Sequence, residues 1–297
     1  LVKSSAASDV YKRQELIRGS KAGADYLLSI KDETYHILEN LDSYPVLIPT
    51  DNNMPNFYKL IDKALQDKLT FIADPILDPI SYGFTKSIER YIYLREKYPD
   101  IHIMIGIGNI TELTHADTSG MNMIMLGIVE ELKLNHILTT QVSRHCSTVI
   151  RETDLARRII HAASENNITP KHINNGLLIN HGHKDYAYTS DELSDMKSNI
   201  KDKNYRIYVN DDGVHLFNKT IYKVFSDPYD FYEFLEVDED SGHSFYLGVE
   251  LARAQIAYQL RKEYSQDEEL DWGCLIDKKA DNKLQSKELG PTFKKRK

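Results

Sequence analysis

The chain has 297 residues, 41% of them hydrophobic, enough for a real core in one large domain or two ordinary ones. A net charge of -8 excludes general nucleic-acid binding, because a phosphate backbone asks for a basic face and the only dense basic run is Lys294 to Lys297. No apolar run approaches the roughly 18 residues of a membrane span. Two cysteines, Cys146 and Cys274, far apart and without a Cys-x-x-Cys, disfavour a disulfide scaffold and a zinc ribbon and fit a reducing cytoplasm.

Residues 1 to 14 lack an initiator Met and join no later pattern, so they are set apart as a non-native, adapter-like segment; a secretory signal would need an apolar core that is absent. From Asp25, short apolar strands alternate with amphipathic helical stretches, the pattern of parallel βα units. Strands are predicted at Tyr26 to Ile30, Val46 to Pro49, Phe71 to Asp74, Ile101 to Gly106 and Ile137 to Thr140. Helices are predicted on Tyr35, Leu38 and Leu41, on the stripe Phe57, Leu60, Ile61, Ala64 and Leu65, and over 87–98, 119–132 and 154–164.

Five units leave two architectures, an open doubly wound sheet or part of a (β/α)8 barrel, which needs eight strands to close. Polar residues gather at the strand ends: Ser29, Asp51, Asp74, Asn109 and Gln141. No glycine-rich nucleotide turn occurs, so the barrel is the expectation.

After Asn167 the rhythm changes to Tyr-, Asn- and Asp-rich sequence with strand-like pieces at 205–209 and 213–217. A helix follows over 244–262, with Leu247, Leu251, Ala254, Ala257 and Leu260 at helical spacing. The predicted organisation is 15–167, an α+β appendage at 168–276, and a flexible tail at 277–297. His181 and His183 form a His-x-His with no third ligand in sequence, so no metal is assigned.

Two segments carry a resemblance. Ile72-Ala73-Asp74-Pro75, continuing to Gly83-Phe84-Thr85-Lys86, resembles the Asp-Pro…Gly-Phe strand and loop of dihydropteroate synthases. Gly106-Ile107-Gly108-Asn109, with Asn122 further on, is similar to the Gly-x-Ser-Asn segment of methyltetrahydrofolate-dependent corrinoid methyltransferases. From Ala22 to Gly273, including Tyr246-Leu247-Gly248 and Gln266-Asp267-Glu268, the chain looks most like dihydropteroate-synthase-related proteins of organisms that make tetrahydromethanopterin.

The resemblance implies an α/β fold, a partial (β/α)8 TIM barrel of the pterin-binding type with strands 4 to 8 only, carrying the C-terminal α+β appendage. It implies pterin binding by Asp74, Asn109, Ser29 and Gln141, and phosphate binding by Lys86 and Arg144. Asp74 would accept the guanidine-like edge of the ring in bidentate fashion, and Asp78 would cap the turn that follows. The reaction implied is attack of an arylamine on hydroxymethyl-dihydropterin diphosphate, in folate or tetrahydromethanopterin biosynthesis. The substrate is then a reduced pterin, with Mg²⁺ accompanying the diphosphate and a homodimer as the expected assembly. The alternatives are methyl transfer from a methyl-tetrahydropterin to a corrinoid protein, and a pterin-binding module without chemistry. Two departures stand out: Gly108-Asn109-Ile110-Thr111 replaces the family's Ser-Arg-Lys-Ser, and Thr139-Thr140-Gln141-Val142 precedes Arg144 and His145 where the family has Arg-x-His.

Overall fold

Six short strands pair side by side in the order of the chain, β1 (Ala7–Asp9), β2 (Tyr26–Ile30), β3 (Tyr44–Leu47), β4 (Ile72–Ala73), β5 (His102–Gly106) and β6 (His136–Leu138), every pair parallel. The computed structural model describes residues 7–9, 13–182, 184–237 and 240–276. The chain divides into two units, Leu1–Asn174 and Asn175–Lys297.

In the first unit the helices between strands are α1 (Arg13–Lys21), α2 (Met54–Gln66), α3 (Phe84–Lys97), the single turn α4 (Gly108–Thr111), α5 (Thr118–Glu131) and, after β6, α6 (Val149–Glu165). The stretch built on Tyr35, Leu38 and Leu41 forms a 3-10 helix over Asp32–Asn40, its start tied by Thr34 Oγ1, which accepts from Lys31 N at 3.0 Å. Helix α2 begins where Asn53 accepts from Asn56 N and buries Phe57, Leu60, Ile61 and Ala64. Each large apolar side chain so buried contributes about 1.5–3 kcal/mol. On the opposite face of the sheet Val46, Ile48, Ile72 and Met104 are buried together, with Tyr26, Leu28, Ile76 and Leu138 packed against them.

Two expectations are corrected. The parallel sheet has six strands and not five, because Ala7–Asp9, from the segment set apart in the sequence, pairs with Tyr26 to Leu28 and occupies the edge that strand 4 of a barrel would have left open. Strands β1 and β6 are not paired with each other, so the unit is an open parallel α/β sheet and not strands 4 to 8 of a (β/α)8 pterin-binding barrel.

The second unit holds α7 (Ser190–Ser198), the antiparallel sheet β7 (Arg206–Asn210), β8 (Gly213–Phe217) and β9 (Tyr222–Phe225), and α8 (Ser241–Leu260). Helix α7 opens with a capping box of Thr189 and Glu192. Central strand β8 is buried along its whole length; α8 closes one side with Leu247, Leu251, Ala254 and Ala257. Gly213 has φ +144, and a Cβ there would meet Phe225 O at 3.1 Å, so the tight β7–β8 turn requires glycine. The two stretches that join in the family resemblance meet here: Gln266 Nε2 donates to Tyr246 Oη at 2.9 Å, and Tyr246 Oη donates to Asp267 at 2.8 Å. Gln266 also pairs with the edge of β7 through Ile207 N and Tyr205 O.

Among the described residues no helix is long and apolar enough to cross a membrane.

Candidate functional site

At the carboxyl ends of β2 to β6 lies a cavity of about 340 Å³. Its floor is apolar, from Leu28, Val46, Ile48, Ile76, Leu77, Met104 and Leu138, and its polar lining is Ser29, Asp74, Asn109, Glu112 and Thr140. That volume lies in the range of small-molecule sites.

The strands set these residues in place. Alternation brings every second residue to one face, hence Val46 with Ile48 and Met104 with Gly106. Leu28 and Ser29 break the rule, since consecutive residues both line the cavity. The register of β2 against β3 shifts between Leu27 and Ile30, and Ser29 takes φ +69, so a bulge turns its side chain to the cavity side. No Cβ contact within 4 Å awaits a side chain at Gly106, so glycine there keeps the cavity open. Gly108 is tighter, its notional Cβ lying 3.3 Å from Thr140 Oγ1.

Asp74 follows β4 directly, and its own N–H still joins the sheet through Leu47 O at 2.9 Å. The residue is 8% exposed. Its Oδ1 accepts from Ile76 N at 2.8 Å and from the hydroxyl of fully buried Tyr91 at 2.9 Å. Burial pushes the Asp74 carboxyl up to about 6, against the pull of those two bonds and of the nearby Arg90 charge. The loop after Asp74 is stapled from α3: Arg90 donates to Pro75 O at 3.1 Å, to Ile76 O at 2.6 Å and to Asp78 at 2.8 Å. Asp78 is therefore an ion-pair partner and not the turn cap that its Asp-Pro context predicts. From the other side, Asn109 Nδ2 donates to Leu77 O at 2.7 Å.

Glu112 anchors the loop after β6. Its carboxylate accepts from Val142 N and Ser143 N, each at 2.8 Å, and from Thr140 Oγ1 at 3.1 Å. The backbone donors hold its carboxyl down to about 2, so it stays ionised. With Asp74 it makes the lining acidic, and among the described residues no Lys, Arg or His lines the cavity.

Of the sequence-predicted residues, Asp74, Asn109 and Ser29 come together here. Gln141 does not; its amide is turned to Ser147 O at 2.9 Å. Lys86, its side chain 77% exposed, pairs with Glu89 in a separate groove along α2 and α3. Arg144 lies in a 3-10 turn, Arg144–Cys146, outside the lining. Asn122 is buried in α5, its amide tied to Glu152 and Thr153 of α6, a packing role. His181 Nδ1 lies 3.1 Å from Leu260 O; His183 and the tail 277–297 lie outside the described residues. Sequence reasoning missed Tyr91, Arg90 and Glu112. Tyr91 reads as core in the stripe Ser87, Tyr91, Leu94, and nothing local marks Glu112 as reaching a loop 30 residues on.

No known family matches the chain. A protein of Methanocaldococcus jannaschii described as uncharacterized is 29% identical over an alignment 307 residues long, gaps included, that covers 88% of this chain and 57% of the relative. The chain thus spans little more than half the length of that relative. Among solved structures, a Chromobacterium violaceum protein described for spore coat polysaccharide biosynthesis aligns at TM-score 0.40 and 12% identity, covering 65% of this chain and 55% of that one.

Proposed function

We propose that the cavity binds a reduced pterin and that the whole protein is a dihydropteroate-synthase-like transferase, joining hydroxymethyl-dihydropterin to an arylamine in a tetrahydromethanopterin-type pathway. One observation carries the reading: a buried carboxylate, Asp74, fixed by backbone and by Tyr91, faces an apolar-floored cavity beside Asn109. A pterin presents an amino group and a ring N–H side by side, and flat apolar faces above and below. Acceptors at one rim over an aliphatic floor match both features. The enzyme's contribution would be positioning of the ring and of the exocyclic carbon. The wide spacing of Cys146 and Cys274, with no Cys-x-x-Cys, supports a cytoplasmic setting.

A second reading has its own support. A diphosphate leaving group calls for cations, with or without Mg²⁺, yet Lys86 and Arg144 lie outside the lining. Methyl transfer from a methyl-tetrahydropterin to a corrinoid needs no such charge.

Calorimetric titration with 6-hydroxymethyl-7,8-dihydropterin tests the shared core of both readings. Asp74→Asn turns an acceptor into a donor facing donors and is expected to weaken binding on the order of a hundredfold. Asp78→Asn is expected to leave affinity nearly unchanged. Equal affinities for the two variants remove Asp74 from the site. Repeating the titration with the diphosphate and Mg²⁺ separates the reactions, since a gain in affinity favours the transferase.

A further inference from the structure

Both hydrogen bonds to Asp74 fall on the same atom, Oδ1, from Ile76 N and from Tyr91 Oη. Two bonds occupy the two lone pairs of a carboxylate oxygen. Among the described residues no donor reaches Oδ2. A bidentate fork, with one ligand N–H on each oxygen, is therefore closed to Asp74, and two adjacent N–H groups of a ligand need a second acceptor.

Asn109 supplies it. Leu77 O can only accept, so the Asn109 atom 2.7 Å from it is the Nδ2 donor, and Oδ1 is left for the cavity. Glu112 is committed elsewhere: Val142 N and Thr140 Oγ1 fill its Oε1 and Ser143 N holds its Oε2, so the carboxylate is turned to the 140–143 loop. Thr140 is turned to Glu112.

We propose that Tyr91 is a positioning residue which, with the Ile76 amide, makes Asp74 a one-oxygen acceptor, so that a ligand's paired N–H groups are divided between Asp74 Oδ2 and Asn109 Oδ1. The inference rests on the pterin reading for the ligand, but not for the geometry. It narrows the ligand class to heterocycles whose two donors diverge enough to meet acceptors that follow two neighbouring strands, β4 and β5. The same bond from Tyr91 stabilises the ionised carboxylate. The other charged groups about Asp74 are Arg90, from α3, Asp78, held by Arg90, and Glu112, lining the same cavity.

Tyr91→Phe keeps the ring that fills the core and removes only the hydroxyl. Titrating the Asp74 carboxyl by ¹³C NMR, assigned with Asp74→Asn, reads the effect without any ligand. The expected result is a midpoint near 6 in the wild type and about one pH unit higher in Tyr91→Phe, the size expected for one hydrogen bond to a charged acceptor. Calorimetry with 6-hydroxymethyl-7,8-dihydropterin across the same pH range is expected to show the binding midpoint moving up with it. Asn109→Ala is expected to lower affinity roughly tenfold at every pH while leaving the midpoint in place. An unmoved Asp74 midpoint in Tyr91→Phe, or wild-type affinity in Asn109→Ala, overturns the proposal. A midpoint that moves in a protein that binds no dihydropterin at any pH upholds the hold of Tyr91 on the carboxylate and overturns the pterin reading.

Discussion

Tyr26 and His136 stand on strands with three others between them, yet their rings lie 6.3 Å apart, centre to centre. Four steps across a flat sheet would separate them by about 19 Å. The sheet is therefore strongly curled, and the rings of Tyr44, Tyr26, His136 and His102 follow one another beneath the apolar floor of the cavity. Curvature makes the cavity: it turns the far ends of β2 and β6, with Ser29 and Thr140, toward one shared space. In a Cys274→Ser background, Tyr26→Cys with His136→Cys is expected to be joined within one chain by a short bifunctional thiol reagent. Labelling without cross-linking would mean a flatter sheet and no shared cavity.

Asp74 should work against stability in the empty protein. Its folded value, about 6 against an ordinary 3.8, is raised, so the folded state holds its proton more tightly than the unfolded one. That favours folding below about pH 4 and is lost as pH rises through 6. Asp74→Asn is then expected to be more stable than wild type at pH 7.5, by at most about 3 kcal/mol, with the gap shrinking toward pH 4.5. Urea unfolding at the two pH values checks it, and a gap independent of pH would contradict the assignment.

Gly106 offers a way to close the cavity without disturbing the fold. A side chain there meets no atom within 4 Å at its first carbon, so Gly106→Leu should grow into the space a ligand would take. The expected outcome is loss of dihydropterin binding with a change in stability within about 1 kcal/mol. Retained affinity would place the ligand elsewhere.

The second unit carries an acid-sensitive point of its own. His215 is fully buried, with Nε2 2.6 Å from Asn210 Oδ1 and Nδ1 2.9 Å from Tyr222 Oη. Burial holds its imidazole below the ordinary 6.5. A depressed folded value gives stability that is present above the ordinary one and lost as pH falls through the folded one. Trp272, the single tryptophan, lies in this unit and reports its unfolding. Its urea midpoint should fall between pH 7.5 and 5 in wild type and fall less in His215→Gln.

What the sequence determined by itself was local. Short apolar runs and helical stripes such as Phe57, Leu60, Ile61 and Ala64 marked five parallel strands and most helices, because apolar clustering and the 3.6-residue repeat are properties of the chain alone. Strand-end position brought out Ser29, Asp74 and Asn109 for the same reason. Sequence could not show that Ala7–Asp9 adds a sixth strand, since pairing depends on a partner edge and not on three residues of composition. Nor could it show that Lys86 and Arg144 turn away from the cavity: a flexible cation goes where tertiary neighbours such as Glu89 hold it. The largest gap concerns Asp74. A local turn puts the Ile76 N–H on one of its two oxygens, but that oxygen is filled only when α3 folds back and sets the Tyr91 hydroxyl on it as well, a hydrogen bond spanning 17 residues that only tertiary packing decides.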